Sequence, residues 1–116
     1  MEAKETKHAK AVAWQVRIST DRARQVLALI RGRKASEALA ILKFTPNRGA
    51  RYVEKTLKSA LANAEHNFGL DIDKLFVVLA TADQGTYMKR FRPVSHGRAH
   101  PFRHHTSHIT VAVAEK

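Results

Sequence analysis

A stretch near the C-terminal end limits the possible folds of this chain more than any other feature. Residues 81–107 separate two strand signals, at 75–80 and 108–113. The helix-breaking residues within the stretch are Gly85, Pro93, Gly97 and Pro101. They exclude a regular helix, and a compact domain rarely carries so long a loop without secondary structure. We therefore predict a two-stranded ribbon that extends beyond the core and turns near residues 92–98.

The ribbon is also strongly cationic. Residues 84–114 contain no acid, and their basic residues are Lys89, Arg90, Arg92, Arg98 and Arg103. Most histidines of the chain lie there too, at His96, His100, His104, His105 and His108. An isolated two-stranded ribbon is marginally stable in water, and one without counter-charges repels itself. We expect a polyanionic partner to hold it.

The whole chain shares this basic character. Its 116 residues include 21 Lys and Arg against 10 Asp and Glu, for a net charge of +11. Solubility needs only about 2–8 net charges, so the excess indicates nucleic acid first and an anionic membrane surface second. The absence of Cys excludes disulfides and cysteine-ligated zinc. No apolar run has the length of a membrane span, and the first residues lack the pattern of a secretory signal. We expect a soluble intracellular protein.

The remaining sequence predicts one strand and three helices. Residues 11–18 alternate, with Val12, Trp14, Val16 and Ile18 on one face. The first helix begins at Ser19-Thr20-Asp21 and ends at Gly32. A short second helix begins near Ser36-Glu37, and its apolar residues are Ala38, Leu39, Ile41 and Leu42. The third begins at Thr45-Pro46 and ends at Gly69, and its apolar stripe is Ala50, Val53, Leu57, Ala60, Leu61 and Ala64.

This order predicts an α+β fold, in which a small antiparallel sheet packs on three helices and a long basic β-hairpin protrudes. We expect a single domain over residues 1–116. Its globular part would cover about 8–82 and 106–116, and its hairpin about 83–105. The predicted core is Trp14, Leu27, Ile30, Leu39, Ile41, Leu42, Val53, Leu57, Leu61, Val77, Leu79, Ile109 and Val111.

Signals for catalysis are weak. His96, His100 and His104 recur every four residues, but Gly97 and Pro101 exclude the helix that would align them. On an extended strand this spacing separates the residues by about 13 Å, too far for one ion. Asp71 and Asp73 are typical of solvated loop acids, and no phosphate-binding glycine motif occurs. We predict no enzyme, no metal and no cofactor; tight zinc binding without RNA would revive a metal-dependent enzyme.

Basic residues around the first helix favour a phosphate backbone as the ligand. They are Arg17, Arg22, Arg24, Arg31, Arg33 and Lys34. Arg24 and Arg31 share a helix face, and Gly32 leaves the turn after the helix free of bulk for close approach to phosphate. On the ribbon, Tyr87, Phe91 and Phe102 interleave with arginines. Such rings stack on unpaired bases and favour folded RNA, although they could equally pack on each other.

Several blocks of the chain closely resemble the bacterial large-subunit ribosomal protein L-twenty-two family. The blocks are ALAILKFTP at 38–46, ALANAEHN at 60–67, MKRFRP at 88–93, GRA at 97–99 and RHHTSHITV at 103–111. The resemblance runs from about Ala9 to Lys116 with the order intact. It implies a structural constituent of the large ribosomal subunit, without catalytic activity, that binds and bridges ribosomal RNA and supports assembly.

The resemblance also implies roles for particular residues. The six basic residues around the first helix would bind ribosomal RNA, together with four ribbon residues: Arg92, Arg103, His104 and His105. The hairpin tip would line the nascent-peptide exit tunnel through Met88, Lys89, Arg90, Gly97, Arg98 and Ala99. The implied partners are large-subunit ribosomal RNA, neighbouring large-subunit proteins and the nascent polypeptide, with no membrane and no small-molecule substrate. The implied location is the ribosome in the cytoplasm, with an organellar ribosome as the alternative.

The sequence departs from the family pattern in two places. Thr20-Asp21 replaces the usual proline followed by a basic residue, and His96, His100, His104 and His105 occupy ribbon positions that are often charged. The histidines predict RNA affinity that differs between pH 6 and pH 8, since imidazole changes its charge in that range. A DNA-bending protein with a basic β-arm is the alternative, and equal affinity for duplex DNA and structured RNA would favour it.

Overall fold

A computed structural model describes residues 8–85, 88–93, 99–104 and 106–115. Its elements are β1 (His8–Val16), α1 (Thr20–Ile30), α2 (Ala35–Phe44), α3 (Arg48–Phe68), a short 3-10 helix (Ile72–Lys74), β2 (Leu75–Gln84), β3 (Met88–Pro93), β4 (Ala99–His104) and β5 (Ser107–Glu115). Strands β1, β5 and β2 form one antiparallel sheet in that order, and β3 pairs with β4 in a separate antiparallel hairpin. The predicted α+β fold is confirmed.

The helices pack on the sheet through the predicted apolar positions. Helix α3 lies against β1 and β5, and α1 lies against β2. All six residues of the predicted α3 stripe are buried, and Leu27 and Ile30 of α1 are fully buried with them. Leu39 and Ile41 pack at the margin of this core. Sheet and helices therefore share one apolar interior.

The ends of α1 and α3 follow the predicted signals, with one exception. Ser19 Oγ accepts a hydrogen bond from the backbone N–H of Arg22 at 3.4 Å, and Gly69 ends α3 in the left-handed conformation at φ +61°. The predicted start of α3 at Thr45-Pro46 is wrong. Asn47 is the N-cap, and its Oδ1 accepts from the N–H of Gly49 at 2.9 Å. Thr45 instead belongs to the end of α2, because its hydroxyl donates to the carbonyl of Ile41 at 2.6 Å.

The predicted burial of Trp14 is wrong, because the face of β1 that meets α3 carries alanines. Trp14 is 71% exposed, whereas Ala9 is buried and Ala13 packs at the core margin. An irregularity between Ala13 and Val16, with Gln15 at φ +51°, then returns Val16 to the core side. A β-bulge of this kind exchanges the two faces of a strand.

The predicted burial of Leu79 is wrong because β2 gains one residue relative to β5. A register shift between Val77 and Leu79 makes Val78 an extra residue relative to β5. Val77 therefore points into the core at 1% exposure, while Leu79 lies opposite Ala112 and is 45% exposed. Apolar alternation in sequence does not reveal where a strand gains one residue.

Tight contacts join the sheet to the base of the hairpin. The N–H of Gly85 donates to the carbonyl of Thr106 at 2.9 Å, and a Cβ added to Gly85 would meet Thr106 Oγ1 at 2.6 Å. Next to this point the buried Ser107 donates its hydroxyl proton to the carbonyl of Ile18 at 2.6 Å. The chain segments that enter and leave the hairpin are thus held together at the sheet.

Candidate nucleic-acid interface

Two of the predicted cations lie along the outer edge of the sheet. Strand β2 pairs with β5 on one side only, so the carbonyls on its other side need donors. Arg24 donates from Nε and Nη2 to the carbonyl of Ala82, at 3.3 and 3.1 Å. Arg31 donates from Nε to the carbonyl of Ala80 at 2.9 Å. Both side chains therefore use part of their donor capacity on the protein itself.

The turn between α1 and α2 continues this edge. The N–H of Gly32 donates to the carbonyl of Val77 at 3.0 Å, and the N–H of Val77 donates to the carbonyl of Arg33 at 2.9 Å. Lys34 forms an isolated bridge with Phe76. Gly32 has φ +74° and open space around it. The backbone of the turn is thus fixed to β2, and the basic side chains around Gly32 project from a rigid support.

The predicted cations of the domain form two groups. Those at the β2 edge, which we call the edge cluster, are Arg24, Arg31, Arg33 and Lys34. Arg17 lies after β1 at the other side of the sheet, and Arg22 lies in the first turn of α1. All six are exposed, and no carboxylate in the described ranges pairs with them. An ion pair elsewhere, on α3, joins Lys58 Nζ to Glu54 Oε1 at 3.0 Å.

The backbone register of the hairpin pairs basic positions of β3 with basic positions of β4. Lys89 of β3 pairs in register with Arg103 of β4, and Arg92 pairs with His100. Like charges at directly opposite positions destabilise an antiparallel pair. Among the other predicted RNA-binding residues, His104 pairs with Met88, and His105 lies outside the described residues. The hairpin is therefore cationic on both strands.

The register also separates the predicted tip residues. Ala99 pairs with Pro93, at the end of the strands that adjoins the turn. Gly97 and Arg98 belong to that turn in sequence and lie outside the described residues, as does His96. The segment Met88–Arg90 pairs with Phe102–His104, at the opposite end of the hairpin. Among the predicted tip residues that the structure describes, Ala99 thus adjoins the turn, whereas Met88, Lys89 and Arg90 lie at the other end of the hairpin.

A groove between β1 and α3 was not predicted. We call it the β1–α3 groove; it has a volume of about 530 Å³ and is lined by residues 11–17, Tyr52, Lys55, Thr56 and Ser59. Exposed Trp14 and exposed Arg17 are both among its lining residues. The sequence signal for it was the single tryptophan of the chain, which the alternation of the strand assigned to the core.

Comparison with known proteins decides the family. The model of the family described as Ribosomal protein L22p/L17e matches residues 11–114. The large ribosomal subunit protein uL22 of Streptococcus pyogenes serotype M6 is 54% identical over 112 residues, which cover 97% of this chain and 98% of the relative. The chain belongs to the L22p/L17e family of ribosomal proteins.

Membership in the L22p/L17e family confirms the coarse functional predictions. The chain is a structural constituent of the large ribosomal subunit and is not an enzyme. Its expected place, in the ribosome in the cytoplasm, is confirmed on the same grounds. Separately, no helix in the described ranges is both long and apolar enough to cross a bilayer.

Of the two acids considered for catalysis, Asp71 has a structural role in this family member. Asp71 precedes the 3-10 helix, and its Oδ1 accepts a hydrogen bond from the N–H of Asp73 at 3.1 Å. Both residues are exposed. Within the described ranges, no group of three or more His, Asp or Glu residues is placed to hold a metal ion.

Proposed function

We propose that this L22p/L17e chain binds large-subunit ribosomal RNA at two places and bridges them, and that its hairpin lines the nascent-peptide exit tunnel. The edge cluster, Arg17 and Arg22 would contact phosphates on the domain. The ribbon residues Arg92, Arg103, His104 and His105 would contact RNA along the hairpin. By holding separate RNA segments together, the chain would support subunit assembly beside neighbouring proteins.

The opposed cations of the hairpin carry this proposal. Lys89 and Arg103 occupy paired positions in the backbone register of β3 and β4, and among the described residues these two strands form a sheet of their own. Such an arrangement lacks counter-charges of its own, and an RNA backbone supplies them. Family membership supports the proposed contact between the nascent chain and the predicted tip residues, and this contact extends the same proposal. Those residues are Met88, Lys89, Arg90, Gly97, Arg98 and Ala99.

Sedimentation tests the proposal directly. The tagged chain and a variant that lacks residues 88–104 are expressed in cells, and subunits are separated on a gradient containing high salt. We expect stoichiometric retention of the full chain on large subunits, because a penetrating ribbon is not released by screening alone. The deletion variant should be lost into the light fractions. Equal retention of both proteins would contradict a role for the hairpin in anchoring.

Binding in solution distinguishes RNA from DNA. The affinity of the purified chain for large-subunit ribosomal RNA should fall steeply with salt, since each phosphate contact releases a counterion. Affinity for duplex DNA of equal length should be lower at physiological salt. Equal affinities would favour the DNA-bending alternative instead.

A further inference from the structure

The β1–α3 groove is the strongest feature that the proposed function does not use. Among the described strands β1 pairs with β5 alone, and the groove lies between β1 and α3. The edge cluster lies at the other free edge of the sheet, on β2. A ligand in the groove would therefore contact the domain on the side away from the edge cluster.

Trp14 is exposed but held in place. Its indole contacts the imidazole of His108 edge to face, with ring centroids 4.7 Å apart and an interplanar angle of 62°. His108 is itself fixed, because its Nδ1 accepts a hydrogen bond from the N–H of Gln15 at 3.0 Å. The indole nevertheless remains 71% exposed. A large aromatic surface that is oriented and left open is suited to stacking with a planar ligand.

The charged residues that line the groove favour an anionic ligand. Its charged lining residues are Arg17 and Lys55, both cationic, and no carboxylate is among the residues that line it. The nearby Glu54 is occupied by its ion pair with Lys58. Hydroxyl groups of Tyr52 and Ser59 add hydrogen-bonding capacity. A ligand that is planar, apolar on its faces and negatively charged at its edge matches this lining, and a nucleotide has all three properties.

We propose that the β1–α3 groove binds one unpaired nucleotide of RNA, with its base stacked on Trp14 and its phosphate held by Lys55 and Arg17. This inference rests on the proposed RNA binding and adds a defined site to it. A base within a duplex is covered on both faces by its neighbours, so the site requires a bulged, looped or single-stranded nucleotide. The domain would then hold RNA from both edges of its sheet.

The emission of Trp14 provides a direct test, because the chain has no other tryptophan. The probes are a ten-nucleotide single-stranded adenylate RNA and a ten-base-pair RNA duplex, compared at equal phosphate concentration with the full chain. A stacked base quenches indole emission. We expect strong quenching by the single strand and little by the duplex. Equal quenching by both would overturn the requirement for an unpaired base.

Matched variants test which residues form the site. Trp14→Ala should lower affinity for the single strand roughly ten-fold, the size of one lost stacking contact. Phe44→Ala is the control, because Phe44 is 81% exposed on α2 and does not line the groove. Lys55→Gln should weaken binding more than Lys58→Gln, since Lys58 is paired with Glu54 and lies outside the lining. Circular dichroism confirms that each variant is folded.

The outcomes separate this inference from the proposed function. If the chain binds ribosomal RNA but neither Trp14 emission nor the Trp14→Ala affinity changes, the nucleotide site is wrong and RNA binding stands. If the chain binds no ribosomal RNA at all, both proposals fail. If poly-glutamate quenches Trp14 as strongly as the single strand, the groove takes an acidic polypeptide and the nucleotide site is again wrong.

Discussion

Arg31 donates from Nε to the carbonyl oxygen of Ala80 at 2.9 Å, and this hydrogen bond ties the end of α1 to the free edge of β2. Two turns earlier in α1, Arg24 donates to the carbonyl oxygen of Ala82 and so also joins the helix to this edge. Unpaired carbonyls on an edge strand invite pairing with another chain. The two arginines therefore protect the edge as well as contribute positive charge, and variants of α1 can separate these two effects.

Arg24 and its neighbour Arg22 form the first matched pair. Methionine keeps the aliphatic stem at each position and removes the donors. We expect Arg24→Met to lower the free energy of unfolding by about 1 kcal/mol, because it loses the hydrogen bonds to Ala82. Arg22→Met should change stability by less than about 0.5 kcal/mol, since its guanidinium has no hydrogen-bond acceptor among the described residues.

Urea denaturation and RNA titration measure the two effects on the same proteins. Arg22→Met should weaken RNA binding and reduce the slope of log affinity against log salt by about 1, as expected for one phosphate contact. Equal losses of stability in the two variants would show that the Ala82 contact contributes nothing to the fold.

The N-cap of α3 gives a second prediction. Asn47→Ala should lower the free energy of unfolding by about 1 kcal/mol, because the N–H of Gly49 loses its acceptor. Thr45→Ala is the control; it removes only the hydroxyl bond to Ile41 at the end of α2 and should cost less. Thermal unfolding measures the loss of stability in both variants. A larger loss for Thr45→Ala would show that Thr45, and not Asn47, stabilises the start of α3.

Much of the fold was predictable because its signals are repeated or chemically sharp. The α3 stripe recurs over about four turns, from Ala50 to Ala64, and Gly69 ends α3 in the left-handed conformation that the sequence predicted. Trp14 was assigned to the core because it is large and alternates with alanines, whereas Ala9, Ala11 and Ala13 are the residues of β1 that face the core. Leu79 was assigned to the core because the extra residue Val78 precedes it in β2. One inserted residue reverses every later side chain, and nothing in a period-two pattern marks the insertion.

The candidate site was predictable only in outline. Net charge and spacing identified the cations around α1, but not that Arg24 and Arg31 would also bind carbonyls of β2. That contact depends on which strand lies at the edge of the sheet, a property of the tertiary structure. The β1–α3 groove was missed because it requires β1 and α3 to meet with Trp14 turned outward.

Gly85 gives a third prediction, at the base of the hairpin. A Cβ there would approach Thr106 Oγ1 to 2.6 Å and His108 to 3.2 Å. We expect Gly85→Ala to lower the free energy of unfolding by about 1–3 kcal/mol, the usual cost of overpacking. In the double variant Gly85→Ala with Thr106→Ala, the loss in free energy of unfolding should be smaller than the sum of the two single losses by at least about 0.5 kcal/mol.

Gly32→Ala is the control for Gly85. Its φ of +74° strains any other residue, but no atom lies within 4 Å of the added Cβ. The double variant Gly32→Ala with Thr106→Ala should therefore lose as much free energy of unfolding as the two single variants together. Denaturant titration of the two double variants makes the comparison, and equal coupling in both would remove the steric explanation for Gly85.

The register of the hairpin gives the last prediction. Lys89 lies opposite Arg103, whereas the adjacent Arg90 lies opposite Phe102. Lys89→Glu replaces a repulsive cross-strand pair by an attractive one, so we expect it to stabilise the free hairpin by about 0.2–1 kcal/mol.

Arg90→Glu makes the same change of charge without an opposed cation and should bring less protection. Both should weaken binding to ribosomal RNA, because each places a carboxylate beside phosphates. Hydrogen exchange of backbone amides in β3 and β4, together with RNA titration, measures both effects. Equal protection in the two variants would show that opposed charge does not limit the stability of the hairpin.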